Sequence, residues 1–414
     1  MHRLAIDFGT SNSAVALPYP GGVYRIPLEQ AADTLPTAVF FPAEGGPMRI
    51  GAAAAEALIA GDEGRYMRAL KSVLGLPLLH ESRLIAGRRR TLADVITAFL
   101  TEIRDRAETA TGLRLRRALS GRPVHFHTAD PAKDAQAEAD LRACYHDAGF
   151  EEVAFLAEPE AAALASHRPG AGLGLIVDIG GGTSDFSVFR SRDGQPEILA
   201  SHGIRLGGTD FDQAVSLAHA MPLLGLEGQL RRQMGAGLLP VPRAPYLDLA
   251  TWAKIPFLYT PETRRMAADL VRMAVEPAVM ARFRDVLDRE LGHGLAFAVE
   301  RGKIAANRDE GPGRIDMAEI EPGLFALVTP DSLDAALARH RSALRAAAAE
   351  TLVLAGAGPA AVGEVILVGG SSLMRLVRQE MQALFPAAAI RTAEAFTAVV
   401  DGLALAAREP GLAG

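Results

Sequence analysis

The chain has 414 residues, of which 49% are hydrophobic and 22% charged, and its formal net charge is −6. Such a composition is typical of a globular protein with a large core, the length favours two lobes, and no apolar run reaches the roughly 18 residues of a membrane span. The negative charge argues against a nucleic-acid partner, the single cysteine favours a reducing cytoplasm, and the early first strand leaves no room for a signal peptide.

The first predicted element is a β-hairpin with a small turn. Residues 4–17 read LAIDFGTSNSAVAL, which is an apolar strand that ends in Asp7, a turn that begins at Gly9, and a second alternating strand. The same order of strand, aspartate, glycine and small hydroxyl residues returns later in the chain.

The region up to residue 111 predicts one strand and three helices. The strand spans 34–41 and is introduced by a proline, and a short alanine-rich helix follows at 52–60. Residues 65–74 have helical spacing and carry Lys71, and residues 91–111 form a long amphipathic helix.

Strands and helices then alternate towards the middle of the chain. Residues 118–127 predict an inner strand, 134–149 a helix ended by glycine, and 153–156 another strand. Glu158 lies at the start of a helix over 157–164, where an early proline and acidic residues suit the first turn.

A central hairpin repeats the plan of the first one. Residues 175–189 read LIVDIGGGTSDFSVF, in which Asp178 aligns with Asp7 and Gly180 with Gly9. This internal repeat indicates two related lobes. Glycine lets backbone N–H groups approach a ligand, and aspartates beside such turns suit a magnesium ion that carries phosphate. The two hairpins therefore predict that both lobes face one nucleotide.

The second half of the chain adds two glycine signatures. Paired glycines open a helix at 206–212, which is a ready anion site, whereas 221–263 is irregular and carries no recognisable chemistry. Residues 270–306 predict a helix on which Glu300 and Lys303 share one face.

The last signature lies at 365–374, where an apolar strand and two glycines precede a helix over about 373–385. A final helix is predicted at 397–407.

Other nucleotide-binding motifs do not occur in the sequence. There is no G-x-x-x-x-G-K-[ST], and residues 180–182 lead into a strand where a Rossmann motif requires a helix. A phosphate-binding role therefore depends on the two hairpins and the later glycine pair, in this order.

These signatures resemble the actin-like ATPase fold shared by actin, sugar kinases and the seventy-kilodalton heat-shock (DnaK-type) chaperones, and the chaperone branch most of all. Residues 6–13 and 178–185 look like its two phosphate motifs, 158–163 like its first connecting helix, and 368–372 like its adenosine motif. The likeness runs from residue 4 to about 407 and is poor over 221–263.

The resemblance implies an α/β protein of the actin-like (ribonuclease H-like) ATPase fold, with two lobes around a nucleotide cleft. Lobe I would comprise 1–168 joined by 390–414, and lobe II 169–389, with the boundary in the glycine-rich link 169–174. ATP or ADP and Mg²⁺ would occupy the cleft.

The resemblance also implies roles for individual residues. Asp7, Asp178 and Asp185 would hold magnesium and its waters. Lys71 would reach the γ-phosphate and the attacking water, which Glu158 would orient or help to deprotonate. Asp185 and Thr183 complete the expected catalytic set. The expected phosphate contacts are Gly9, Thr10, Ser11, Asn12, Gly180, Gly181, Gly182 and Thr183, and the expected nucleoside contacts are Gly207, Gly208, Glu300, Lys303, Gly369, Gly370 and Ser371.

Three departures from the family pattern matter. Ile304 and Leu373 stand where these chaperones commonly have arginines against the adenine, so aliphatic packing would replace guanidinium stacking. Residues 127–134 read HTADPAKD where the family reads V-P-A-Y-F-N-D, which displaces the proline thought to relay the nucleotide state. We also expect this chain to lack the substrate-binding domain of a full chaperone, as the truncated YegD-like group does.

The leading hypothesis is a cytoplasmic, ATP-binding and slowly hydrolysing chaperone-like nucleotide switch, whose client or partner proteins the sequence does not name. A small-molecule, sugar-type kinase of the same fold is an alternative, with Asp210 or Asp212 as the base. A filament-forming scaffold related to bacterial actins is a third.

Overall fold

A computed structural model describes residues 2–29, 32–127, 130–166, 172–192, 195–232, 234–308, 310–393 and 397–408. The chain divides into two compact units: unit 1 comprises Met1–Gly208 and Arg341–Gly414, and unit 2 comprises Thr209–His340. The predicted lobe boundary at 169–174 lies partly outside the described residues, so the lobe limits stay a prediction.

None of the helices in the described part of the chain has the length and apolar character needed to cross a bilayer. The predicted cytoplasmic location stays a prediction.

The described residues form twenty strands. In chain order they are β1 (Arg3–Phe8), β2 (Asn12–Tyr19), β3 (Gly22–Arg25), β4 (Leu35–Pro36), β5 (Ala38–Pro42), β6 (Arg49–Ile50), β7 (Gly64–Arg68), β8 (Arg83–Ile85), β9 (Arg88–Arg90), β10 (Arg117–Arg122), β11 (Glu152–Ala157), β12 (Leu173–Ile179), β13 (Ser184–Arg192), β14 (Gln195–Ile204), β15 (Gln229–Arg231), β16 (Leu238–Pro240), β17 (Gly313–Asp316), β18 (Phe325–Val328), β19 (Val362–Val368) and β20 (Ala389–Thr392).

The same residues form twelve α-helices. They are α1 (Ala52–Ile59), α2 (Leu92–Thr111), α3 (Pro131–Asp147), α4 (Glu158–Ser166), α5 (Gly208–Val215), α6 (Ala244–Leu249), α7 (Pro261–Met273), α8 (Pro277–Asp288), α9 (Gly292–Asn307), α10 (Pro330–Leu354), α11 (Arg375–Leu384) and α12 (Ala398–Ala406).

Two mixed sheets of the same plan form the centre of unit 1. The first has the order β11-β10-β1-β2-β3, with β4 paired to β2, and the second has the order β14-β13-β12-β19-β20. In each sheet an antiparallel hairpin pairs through its first strand with a parallel strand, β10 or β19. This shared plan agrees with the internal repeat predicted from the two hairpins.

Two helices pack between these sheets and make a small-residue core. α12 packs on β1, β2 and β10, α4 packs on β12 and β13, and the two helices pack on each other. A Cβ atom on Gly402 would lie 1.7 Å from the carbonyl oxygen of Ala161, so only glycine permits this crossing. The buried residues Ala161 and Leu403 belong to the same core as Ile176 of β12. This packing fixes the start of α4, where Glu158 lies.

The predicted helix over residues 65–74 is wrong. The segment forms strand β7, which pairs with β5, and then a 3₁₀ turn over Leu70–Val73 that contains Lys71. Gly64 lies so close to β5 that a Cβ atom would come within 2.4 Å of the Phe40 ring. Ala69 separates the strand from the turn with a φ of 60°, a left-handed conformation that a helix excludes.

The predicted continuous helix over residues 270–306 is also wrong. The region contains the end of α7 and the two helices α8 and α9. Pro277 begins α8, as proline suits a first helical position, and Glu290 adopts a positive φ of 56° just before α9. The irregular segment 221–263 contains the short hairpin β15–β16 and the short helix α6.

Candidate functional site

The turns of the two predicted hairpins meet within unit 1. A Cβ atom on Gly181 would lie 2.4 Å from the Ser11 hydroxyl oxygen, and one on Gly182 would lie 3.2 Å from Oγ1 of Thr10. Each turn also closes tightly on itself, since Gly180 N–H donates to the Thr183 carbonyl at 3.0 Å. On Gly9, a Cβ atom would lie 2.3 Å from the Asn12 carbonyl oxygen. The second turn therefore has glycine where the two turns touch, and the first turn requires Gly9 for its own closure.

Two further glycine segments of unit 1 join this contact. A Cβ atom on Gly207 would lie 2.5 Å from the backbone nitrogen of Gly182, and one on Gly208 would lie 2.4 Å from the Ser371 hydroxyl oxygen. Gly369 has a φ of 81°, and its Cβ would lie 2.8 Å from Oδ1 of Asp178. Gly207 and Gly208 thus lie against the second hairpin turn, Gly369 lies against the strand end that carries Asp178, and Ser371 lies against Gly208.

Four carboxylates lie beside the two turns. Asp7 lies near the end of β1, Glu158 begins α4, and Asp178 is opposite Asp185 in the β12–β13 register. Burial, followed by the charge of Glu158, raises the pKa of Asp7 to about 7 and that of Asp185 to about 8. Burial and the neighbouring acids also raise the pKa of Asp178 well above its usual value.

Lys71 supplies the ammonium group of this cluster. Its Nζ lies 2.5 Å from Oε1 of Glu158, and both side chains are largely buried, at 6% and 12% exposure. Burial alone would lower the pKa of Lys71, but the charges of Glu158 and Asp7 outweigh burial and raise it. Among the described groups that act on one another here, four carboxylates therefore face one ammonium.

The end of β10 also reaches this cluster. The strand ends at Arg122 because Pro123 follows, and the Val124 N–H donates to Oδ1 of Asp185 at 2.8 Å. Pro123 and Phe126 keep the proline-x-x-phenylalanine spacing of V-P-A-Y-F-N-D. The structure therefore revises the interpretation that this proline is displaced, because Pro123 stands next to the residue that contacts Asp185. Thr128 and Ala129 lie outside the described residues.

A small chamber, with a cavity volume of about 20 Å³ and open to solvent, adjoins the cluster. The predicted site residues in its lining are Thr10, Lys71, Gly182 and Thr183. The lining residues that the sequence analysis did not predict are Ser72, Leu74, Pro123, Phe126, His127 and Arg205. The one local signal for Arg205 is its position just before the paired glycines 207 and 208.

The predicted nucleoside residues Glu300 and Lys303 lie on α9 in unit 2. Lys303 is buried and its Nζ lies 2.6 Å from Oδ1 of Asp212, whose Oδ2 accepts from the Trp252 indole N–H at 3.1 Å. Ile304 on the same helix is 43% exposed. In unit 1, Leu373 is 48% exposed.

The donor set of unit 1 fits a hard divalent cation that arrives with a nucleotide. Carboxylate oxygens are the ligands such cations take, and three extra acids remain after Lys71 has paired with Glu158. Among the described residues, no three His, Cys, Asp or Glu side chains already converge on one metal position. Mg²⁺ usually takes one or two carboxylates and keeps several waters, and the assignment of Asp7, Asp178 and Asp185 to it stays a prediction.

Comparison with known proteins points to one family. A family model described as Hsp70 protein matches residues 80–222. The chain is 26% identical over 387 residues to the chaperone protein DnaK of Thermosipho africanus, an alignment that covers 92% of this chain and 54% of that protein. It is 32% identical over 215 residues to DnaK of Thermotoga neapolitana, covering 51% of this chain and 34% of the relative. The chain thus spans about half the length of the curated relatives that it matches over most of its own length.

Proposed function

We propose that this chain is a slowly hydrolysing nucleotide switch of the Hsp70 family, with the family's actin-like ATPase fold, because it is similar to the Hsp70 model and to DnaK chaperones. It would bind ATP or ADP with Mg²⁺ and act on client or partner proteins. The proposal concerns this chain's own site, because the chain matches only about half of each long-aligned DnaK relative.

The observation that carries the proposal is the excess of buried acid where the two glycine turns meet. Asp7 and Asp185 have raised pKa values because burial and Glu158 oppose their ionisation. A buried charge excess of this kind is costly unless a cation or a proton neutralises it. Backbone N–H groups at glycine turns favour phosphate beside that cation. The surplus acids suit a metal cation and the N–H groups of the glycine turns suit a phosphate. Together they favour a metal-bound polyphosphate over a free cation or a free anion.

Each side chain has a task that its position supports. Lys71, which lines the chamber, supplies a fixed positive charge there, and Glu158, which holds Lys71, would hold a water or accept its proton. Thr183 and Thr10 line the same chamber and offer hydroxyl groups to a terminal phosphate. Asp7, Asp178 and Asp185 would hold the magnesium ion and its waters. The ion, when bound, supplies charge neutralisation of the phosphates.

The kinase alternative finds less support. It requires an aspartate free to act as a base, but Asp212 is buried between Lys303 and the Trp252 indole, with both oxygens in contact. Asp210 remains the other candidate for the catalytic base of a kinase. The filament hypothesis also stays open.

Calorimetry and single-turnover hydrolysis test the proposal. We expect ATP and ADP to bind in the presence of Mg²⁺, chelation to weaken binding at least about tenfold, and Asp185→Ala to slow hydrolysis on the order of a hundredfold. Asp248→Ala is a matched control, because Asp248 pairs with Lys254 at an exposed position. Absence of nucleotide binding, or equal hydrolysis in Asp185→Ala and the control, would overturn the proposal. A titration with GTP in the same series measures base selectivity with Ile304 and Leu373 in place of arginines.

A further inference from the structure

The chamber beside Lys71 contains a second cation, the guanidinium of Arg205. Arg205 follows the end of β14 and precedes the glycines that lie against the second hairpin turn. Its side chain is exposed, whereas Lys71 is buried and engaged with Glu158. Among the described residues of the lining, Arg205 is therefore a second cation for an incoming anion, and unlike Lys71 it has no carboxylate partner among its contacts there.

Two contacts hold the guanidinium in place. Nη2 of Arg205 donates to the Ser72 carbonyl at 2.9 Å, and Nη1 lies 3.4 Å from Nδ1 of His127. Nε2 of His127 lies 2.8 Å from the Leu74 carbonyl oxygen, to which it can only donate. In the neutral imidazole Nδ1 is then the acceptor for Arg205, so the three groups agree in their donor and acceptor roles.

These contacts use two of the five N–H groups of the guanidinium. The planar fork of arginine matches the oxygens of a phosphate in a bidentate way, and such charge-assisted bonds are stronger than neutral ones. A group fixed before the ligand arrives also loses less side-chain entropy on binding.

We propose that Arg205 binds the terminal phosphate, both as the γ-phosphate of ATP and as the inorganic phosphate that hydrolysis leaves in the chamber. The inference rests on the proposed function and deepens it, because it assigns a phosphate-contacting residue to the same site. Arg205 offsets the negative charge of the cleaved phosphate near the surplus acids, which delays phosphate release.

Calorimetric titration of the ADP- and Mg²⁺-loaded protein with inorganic phosphate tests this assignment. We expect Arg205→Gln to weaken phosphate binding at least about tenfold, and Arg205→Lys, which keeps the charge but loses the fork, to lie between this variant and the unmodified protein. The affinity for ADP should change less than about twofold, which also shows that each variant folds. Arg190→Gln is the matched control, since Arg190 is an exposed arginine of β13 paired with Glu197.

Unchanged phosphate affinity in Arg205→Gln, or no phosphate binding by the unmodified protein, would overturn the assignment. A role that is only structural, through the Ser72 carbonyl, would instead slow hydrolysis without changing phosphate affinity, and that result also counts against the proposal. If nucleotide binds and only the Arg205 effect is missing, this inference alone fails. If no nucleotide binds, the proposed function fails and this inference fails with it.

Discussion

Each unit of the molecule contains a buried lysine–carboxylate pair of nearly the same geometry. In unit 1, Lys71 and Glu158 are 2.5 Å apart, and in unit 2, Lys303 and Asp212 are 2.6 Å apart. All four side chains are at most 12% exposed. Distance and burial therefore do not distinguish the two pairs.

Their surroundings do distinguish them. Asp212 has its second oxygen satisfied by the Trp252 indole; burial and then the charge of Glu300 raise its pKa, and Lys303 and the indole oppose that rise. Around Lys71 the surplus is larger, because Asp7, Asp178 and Asp185 all have raised pKa values beside the single Lys71–Glu158 pair. Buried ion pairs as such are often structural, whereas an unbalanced cluster with shifted pKa values beside a chamber indicates a functional site.

The largest expected contrast is in stability when an acid of each cluster is neutralised. Asp212→Asn leaves Lys303 buried without its counter-charge and should lower the unfolding free energy by about 3–5 kcal/mol. Asp185→Asn removes a surplus acid and should instead stabilise the nucleotide-free protein at pH 8, by on the order of 2 kcal/mol. Urea unfolding of both variants at pH 5 and pH 8 measures the two effects.

The raised pKa of Asp185 determines how the stability gain in Asp185→Asn changes with pH. Between about pH 4 and about pH 8, folded Asp185 keeps a proton that the unfolded chain has already released, so its contribution to stability is lost as the pH rises through that window. The gain from Asp185→Asn should therefore be present at pH 8 and nearly absent at pH 5. Burial lowers the pKa of His340 to about 4, an opposite dependence that cancels when variant and unmodified protein are compared. A gain of equal size at both pH values would contradict the prediction.

The next contrast separates hydrolysis from binding. Lys71→Ala should slow single-turnover hydrolysis by about 10²–10³-fold and leave the Kd for ATP within a few-fold, because Lys71 acts at the terminal phosphate. Lys303→Ala should weaken ATP binding and leave hydrolysis of bound ATP within a few-fold, since Lys303 is a predicted nucleoside residue. Lys254→Ala, at an exposed surface pair, is the control. The same loss of hydrolysis in Lys71→Ala and Lys303→Ala would show that the two pairs do not differ in role.

Much of the unit 1 site was predictable because its signals are local. Apolar alternation around Asp7 and around Asp178 defines both hairpins, and the proline and acids after Ala157 define the start of α4. The convergence of these segments followed from the repeat. The fold assignment followed from the order of the glycine signatures.

The errors and omissions arise where distant segments decide the structure. The residue spacing over 65–74 suits a helix, but pairing with β5 overrides it. The contact of Arg205 with His127 joins residues 78 positions apart, and no local pattern in the sequence brings the two together. The burial of Lys303 on Asp212 is equally invisible in sequence, where a helix lysine is usually a surface charge.

The smallest expected effect concerns the backbone that carries Lys71. Ala69 has a φ of 60°, a conformation that costs a residue with a Cβ roughly 1–2 kcal/mol and that glycine adopts freely. Ala69→Gly should raise the unfolding free energy by about 0.5–1 kcal/mol and slow hydrolysis a few-fold, because a more flexible turn holds Lys71 less firmly on Glu158. Ala86→Gly is the matched control: Ala86 has a φ of 48° in the turn between β8 and β9, so it should gain similar stability with unchanged hydrolysis. Slower hydrolysis in Ala69→Gly alone would mean that strain at residue 69 serves the site, whereas equal hydrolysis in both variants would mean that the Lys71 turn tolerates flexibility.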